Sequence, residues 1–94
     1  SDVQALGVLR AAKENGIRIP NDIAIMGFDD IEFSRFMGLS TMRQPFGDMG
    51  RLGVERLLEL INGADDAGFH KELKAELIIR ETCGGLHSFQ VANE

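Results

Sequence analysis

The chain has 94 residues, a hydrophobic share of 44% and a net charge of −5, which bounds it to one domain or part of one and argues against a disordered polypeptide. The acidic balance excludes this stretch as a surface that grips nucleic-acid phosphates. A lone cysteine, Cys83, allows no intrachain disulfide and favours a reduced, cytoplasmic setting.

No apolar run approaches the roughly 18 residues of a membrane span. Ser1-Asp2-Val3-Gln4 has neither the basic stretch nor the apolar core of a secretion signal.

Residues 2–15 read as a helix. Val3, Leu6 and the Val8–Leu9 pair recur at helical spacing, and Ala5, Ala11 and Ala12 are good helix formers. Ser1 with Gln4 three positions on fits a capping box, and Gly16 after Asn15 fits a left-handed stop. Gly7 inside this helix needs a close approach of another element to justify it.

After the Pro20-Asn21-Asp22 turn, residues 23–28 are apolar on both alternating faces. That is the pattern of a central parallel strand covered on each side. Helix, short loop and buried strand point to an α/β architecture. Asp29-Asp30 then falls just past the strand's carboxyl end, where open α/β sheets bind ligands.

Residues 31–38 hold Ile31, Phe33, Phe36 and Met37, a short helix with an apolar side. Thr41-Met42-Arg43 is a brief extended piece stopped by Pro45. A second long helix is predicted from Pro45 to Asn62 and ended by Gly63. Gly50, Val54, Leu57 and Ile61 trace its stripe, widened by Gly53 and Leu58. Residues 63–72 are a polar loop. Alternation through Leu73, Ala75, Leu77 and Ile79 predicts a half-exposed strand, and the tail from Gly84 is expected to be loosely ordered.

Four stretches in register carry a resemblance. They are Asp2-x-x-Ala5-Leu6-Gly7; Ile19-Pro20-Asn21-Asp22-Ile23 running into Gly27-Phe28-Asp29-Asp30; Thr41-Met42-Arg43-Gln44-Pro45 leading to Met49-Gly50; and Leu77-Ile78-Ile79-Arg80-Glu81-Thr82. In this order they resemble the C-terminal part of the effector-binding domain of LacI/GalR-type transcription regulators, over roughly residues 1–82.

The resemblance implies a two-lobed, class I periplasmic-binding-protein-like fold, with parallel sheets flanked by helices, of which this chain is a partial domain. Residues 1–44 would belong to the C-terminal lobe and 45–72 to the N-terminal lobe. Residues 73–83 would return to the C-terminal lobe, and 84–94 would form the tail. It further implies a small-molecule effector, a sugar or a purine-like base. A homodimer is implied, and operator DNA held by a helix-turn-helix headpiece that is not in this stretch.

Asp29 is the leading ligand candidate. A carboxylate at a strand end accepts two hydrogen bonds from sugar hydroxyls or base N–H groups, and in the family this Asp often faces the effector. The competing role is a cap or turn for residues 31–34, which is the better reading of Asp30.

The resemblance also brings Gln44 and Phe46 to the cleft, one as an amide donor and the other as a stacking face; Phe46 would otherwise staple the following helix. Ser1 and Asp2 stand where relatives carry a polar cleft edge, with N-capping as the alternative. Leu6, Arg10 and Phe36 fall where the family packs across a two-fold axis, the alternative being intradomain core.

No cofactor is implied. An Asp pair after a strand can hold Mg²⁺ with phosphate, but that needs further acidic ligands that are not visible. Ser34, His70, Cys83 and His87 form neither a nucleophilic set nor a metal-ligand pattern, so no catalytic residue is assigned and an enzyme is not expected. A periplasmic sugar-binding protein of a transport system is the alternative with the same lobes.

Overall fold

The computed structural model describes residues 1–65 and 68–85. Its elements are α1 (Asp2–Glu14), α2 (Glu32–Phe36), β1 (Thr41–Arg43), α3 (Phe46–Ile61) and β2 (Glu76–Ile78). They fall into two compact units: residues 1–44 with 76–85, and Pro45–Ala75.

Local chemistry sets the helix ends. At the start of α1 the Gln4 N–H donates to Ser1 Oγ at 3.3 Å, and Gln4 Oε1 reaches back to the Ser1 nitrogen at 3.2 Å, which completes the capping box. The helix stops at Gly16, φ 68°. There Ile17 N–H donates to the Ala12 carbonyl and Gly16 N–H to that of Lys13, the paired bonds of a Schellman stop. The same pair closes α2 at Gly38 and α3 at Gly63, through Leu39 to Ser34 and Ala64 to Glu59.

In the first unit β1 lies between two neighbours. It pairs antiparallel with β2, Thr41 opposite Ile78 and Arg43 opposite Glu76. On its other edge the extended run 25–29 lies parallel to it: Gly27 N–H donates to the Ser40 carbonyl at 2.8 Å and Asp29 N–H to that of Met42 at 2.9 Å. A parallel bridge joins Asp29 to Arg43.

Two expectations are corrected here. Residues 23–28 form no regular strand, parallel bonding is confined to the stretch from Gly27 to Asp29, and Ile23, Met26 and Phe28 are 44%, 47% and 45% exposed. The reason is cover: α1 buries only Asp2, Ala5 and Ala12, too little surface to shield an apolar run on two faces. The returning strand expected across residues 73–83 is confined to Glu76–Ile78, the length that β1 can pair.

The centre of this unit is largely polar. Ala5, Ala12 and Leu39 are its buried apolar residues, beside buried Asp2, Ser34, Ser40, Thr41 and Thr82. Thr82 acts as a clasp. Its hydroxyl accepts from the Ser40 N–H and donates to the Ile25 carbonyl, while its own carbonyl accepts from the Ile25 N–H.

In the second unit α3 carries ion pairs from Arg51 to Asp48 and Glu55. The Arg56 guanidinium stacks 4.2 Å from the Phe69 ring centroid, a cation–π contact that draws the loop onto the helix. No residue of α3 is buried, and Val54, Leu57, Leu58 and Ile61 are all more than half exposed. The expected tail order and His87 lie outside the described residues.

Candidate functional site

The run 25–29 delivers Asp29 and Asp30 at its carboxyl end, beyond the β1 pairing. Both residues have positive φ, 125° and 59°. Non-glycine residues rarely adopt such conformations, and paired outliers of this kind concentrate where a side chain must be aimed.

The Asp29 carboxylate accepts from Gln44 Nε2 at 2.7 Å, and both side chains are part-buried. Oδ1 is engaged in that bond, yet a carboxylate has about four lone-pair sites, and the Gln44 amide keeps a second N–H and its carbonyl. The pair therefore presents acceptors and a donor side by side. A vicinal diol or the edge of a base matches that pattern.

Asp30 is not the cap expected for residues 31–34. Ile31 occupies the N-cap of α2 with no side-chain bond. Instead Asp30 Oδ2 accepts from Arg43 Nε at 2.7 Å and Oδ1 from Arg80 Nη2 at 2.8 Å. Burial pushes its pKa up, but the bonds and charges of the two guanidiniums outweigh that and hold it below the ordinary value. Arg43 is correspondingly raised, chiefly by its bond to Asp30.

Asp2, expected among the ligand contacts, has another task. It is completely buried. Its Oδ2 accepts from Ser34 Oγ at 2.5 Å and Ile31 N at 3.0 Å, its Oδ1 from Thr41 Oγ1 at 2.6 Å. One carboxylate thus ties α1, α2 and β1 together, and no face of it is left for a ligand. Burial raises its pKa, and the bonds from Ser34, Thr41 and Ile31 more than offset this to leave it lowered.

Ser1 is exposed, with its hydroxyl in the capping box. Phe46 opens α3 with its ring 54% exposed. Leu6 and Arg10 lie on α1, where Arg10 bonds Glu14, and Phe36 is 76% exposed at the end of α2. Leu6, Leu9, Arg10, Lys13, Phe33 and Met37 line an apolar groove of roughly 370 Å³ between the two helices.

Sequence reading missed the hydroxyl cluster around Asp2 and the Asp30–Arg43–Arg80 set. The first had one usable signal in Gly27, where any Cβ would collide with the Asp2 carboxylate. The second was visible only as two separate arginines, Arg43 in β1 and Arg80 two residues beyond β2.

With this geometry in place, the comparisons become decisive. The family model described as a periplasmic binding protein-like domain matches residues 1–83. A ribose operon repressor of Haemophilus influenzae is 39% identical over 84 residues, 87% of this chain and 25% of that protein. The chain belongs to the family of periplasmic binding protein-like domains.

The repressor CytR of Escherichia coli is 39% identical over 85% of the chain and 24% of its own length. Among solved LacI-family structures, a regulator from Alkaliphilus metalliredigens complexed with D-xylulofuranose superposes with a TM-score of 0.78. It is 32% identical over 88% of this chain and 32% of that one. The lac repressor dimer bound to operator and the anti-inducer ONPF gives 0.72 at 37% identity, over 84% and 28%.

The chain thus spans about a quarter of the length of the curated LacI-type relatives it matches. These relatives are named as regulators of transcription rather than enzymes. Among the described residues no helix is long and apolar enough to cross a membrane, and no group of three or more His, Cys, Asp or Glu is placed to hold a metal ion.

Proposed function

We propose that this chain is the C-terminal part of the effector-sensing domain of a cytoplasmic, LacI-type DNA-binding regulator, with a small sugar or nucleobase as effector. Effector-controlled lobe closure is coupled to operator binding through a helix-turn-helix headpiece outside this stretch, so these residues do not touch DNA and catalyse nothing. The observation that carries the reading is the Asp29–Gln44 pair, held at 2.7 Å on a left-handed turn just past the end of the parallel run. Residues 1–44 and 76–83 belong to the C-terminal lobe and 45–75 to the N-terminal lobe, following the two compact units.

Asp29 and Gln44 supply polar contacts to the effector, Phe46 offers its exposed face for stacking on a ring, and Ser1 lies at the edge of the cleft. Leu6, Arg10 and Phe36 belong to a homodimer surface, supported by the apolar groove between α1 and α2 and the exposure of Phe36. The regulator reading is preferred to a periplasmic transport protein because the relatives named above are repressors.

A thermal-shift screen of pentoses, hexoses, disaccharides and nucleobases on the full-length regulator tests the proposal. One class should raise the melting temperature in a concentration-dependent way, by about 2.7 kcal/mol of added stability at a hundredfold excess over Kd. A flat response to every compound contradicts it.

A further inference from the structure

We infer that Asp30, clamped between Arg43 and Arg80, is a positioning residue that fixes the receiving geometry of Asp29 and Gln44. The inference rests on the reading of Asp29 as an effector contact and adds the residues that make that contact possible.

Two consecutive non-glycine residues at φ 125° and 59° persist only where their surroundings over-determine them. The turn is tied before and after: Asp29 N–H donates to the Met42 carbonyl, and Ile31 N–H to the Asp2 carboxylate. The Asp30 backbone also engages the Asp2 carboxylate, and its side chain fixes the middle of the turn from the other side, through one oxygen to each guanidinium.

Those guanidiniums are themselves anchored. Arg80 Nη1 donates to the Leu39 carbonyl at 2.8 Å and its backbone N–H to Ser40 Oγ at 2.7 Å. Arg43 also reaches Glu76, its cross-strand partner, at 3.6 Å. Because Gln44 directly follows Arg43, the Arg43–Asp30 pair sets the distance between the two polar groups of the site. The side chains of Asp30 and Arg80 are only 8% and 14% exposed, so solvent screens this pair weakly and the geometry is stiff.

The test uses the full-length regulator and isothermal titration with D-ribose, D-xylulose, lactose and adenine, the tightest binder serving as probe. Asp30→Asn keeps the shape and removes the charge. It should weaken the probe by about tenfold in the native background and by less than about twofold in an Asp29→Asn background, because a positioning residue acts through the group it positions. Asp30→Glu, which restores the carboxylate, should recover part of the loss.

If Asp30→Asn does not fold, Arg43→Gln carries the same comparison, since the Arg43 side chain is exposed and touches Asp30 and Glu76. Equal losses in the two backgrounds, or an unchanged affinity in the native one, overturn the inference and leave the role of Asp29 standing. If Asp29→Asn itself binds like wild type, or none of the four compounds binds, the reading of Asp29 fails and this inference with it.

Discussion

Asp2 shows how one side chain can be misread in a sequence and decisive in a structure. At the opening of a helix an Asp reads as a dipole partner, and in this family also as a cleft residue; burial and three donors make it a strut instead. Asp2→Ala leaves the Ser34 and Thr41 hydroxyls buried without that acceptor and should destabilise the intact protein by about 3 kcal/mol or more in urea unfolding. Its lowered pKa fixes the pH dependence. A carboxylate depressed in the folded state contributes stability above its unfolded value of about 3.9, and that contribution is lost as pH falls through the lower folded value. The urea midpoints of wild type and Asp2→Asn should therefore converge as pH drops from about 5 toward 2, and a constant gap between them would show that the charge of Asp2 is immaterial.

At the scale of elements, the long helices were legible because capping and stop signals are local: Ser1 with Gln4, and Gly16 and Gly63, each do their work within a few residues. What each helix buries was not legible. The apolar stripe of α1 is partly in the open, with Val3 68% and Val8 44% exposed, while Ala5 and Ala12 are buried. The parallel course of the 23–28 run was legible only at its end, from Gly27 to Asp29, and its burial depends on neighbours that a pattern of apolar residues cannot supply. Two glycine substitutions separate these effects. Gly27→Ala drives a methyl into the Asp2 carboxylate and Leu39 and should cost about 1–3 kcal/mol. Gly7 has open space around it, so Gly7→Ala should stabilise α1 by up to about 1 kcal/mol. Thermal melts of both variants check this, and a destabilised Gly7→Ala would mean that a partner surface packs there.

At the scale of the molecule, three buried apolar side chains among the described residues, two of them alanine, are set against open stripes on α3 and the 23–28 run. Burying a large aliphatic side chain is worth roughly 1.5–3 kcal/mol, so leaving Val54, Leu57, Leu58 and Ile61 wet forgoes about as much as a typical stability margin. The 94-residue chain on its own should therefore associate, and sedimentation velocity should show dimers or larger species; a compact monomer with a cooperative melt would contradict that. Family and fold were legible because four motifs stood in register, and the position of Asp29 because it ends an apolar run. The support beneath it was not, because Arg43 and Arg80 meet Asp30 only once two short strands have paired. An Asp29 that receives the effector of a DNA-binding regulator has a direct functional consequence. Operator binding by the full-length protein, followed by fluorescence anisotropy as effector is added, tests it most directly. Asp29→Ala should bind operator as wild type does without effector, and its response should shift to at least about tenfold higher effector concentration, the loss of about 1–3 kcal/mol of hydrogen bonding. Superimposable effector titrations of variant and wild type would contradict the account.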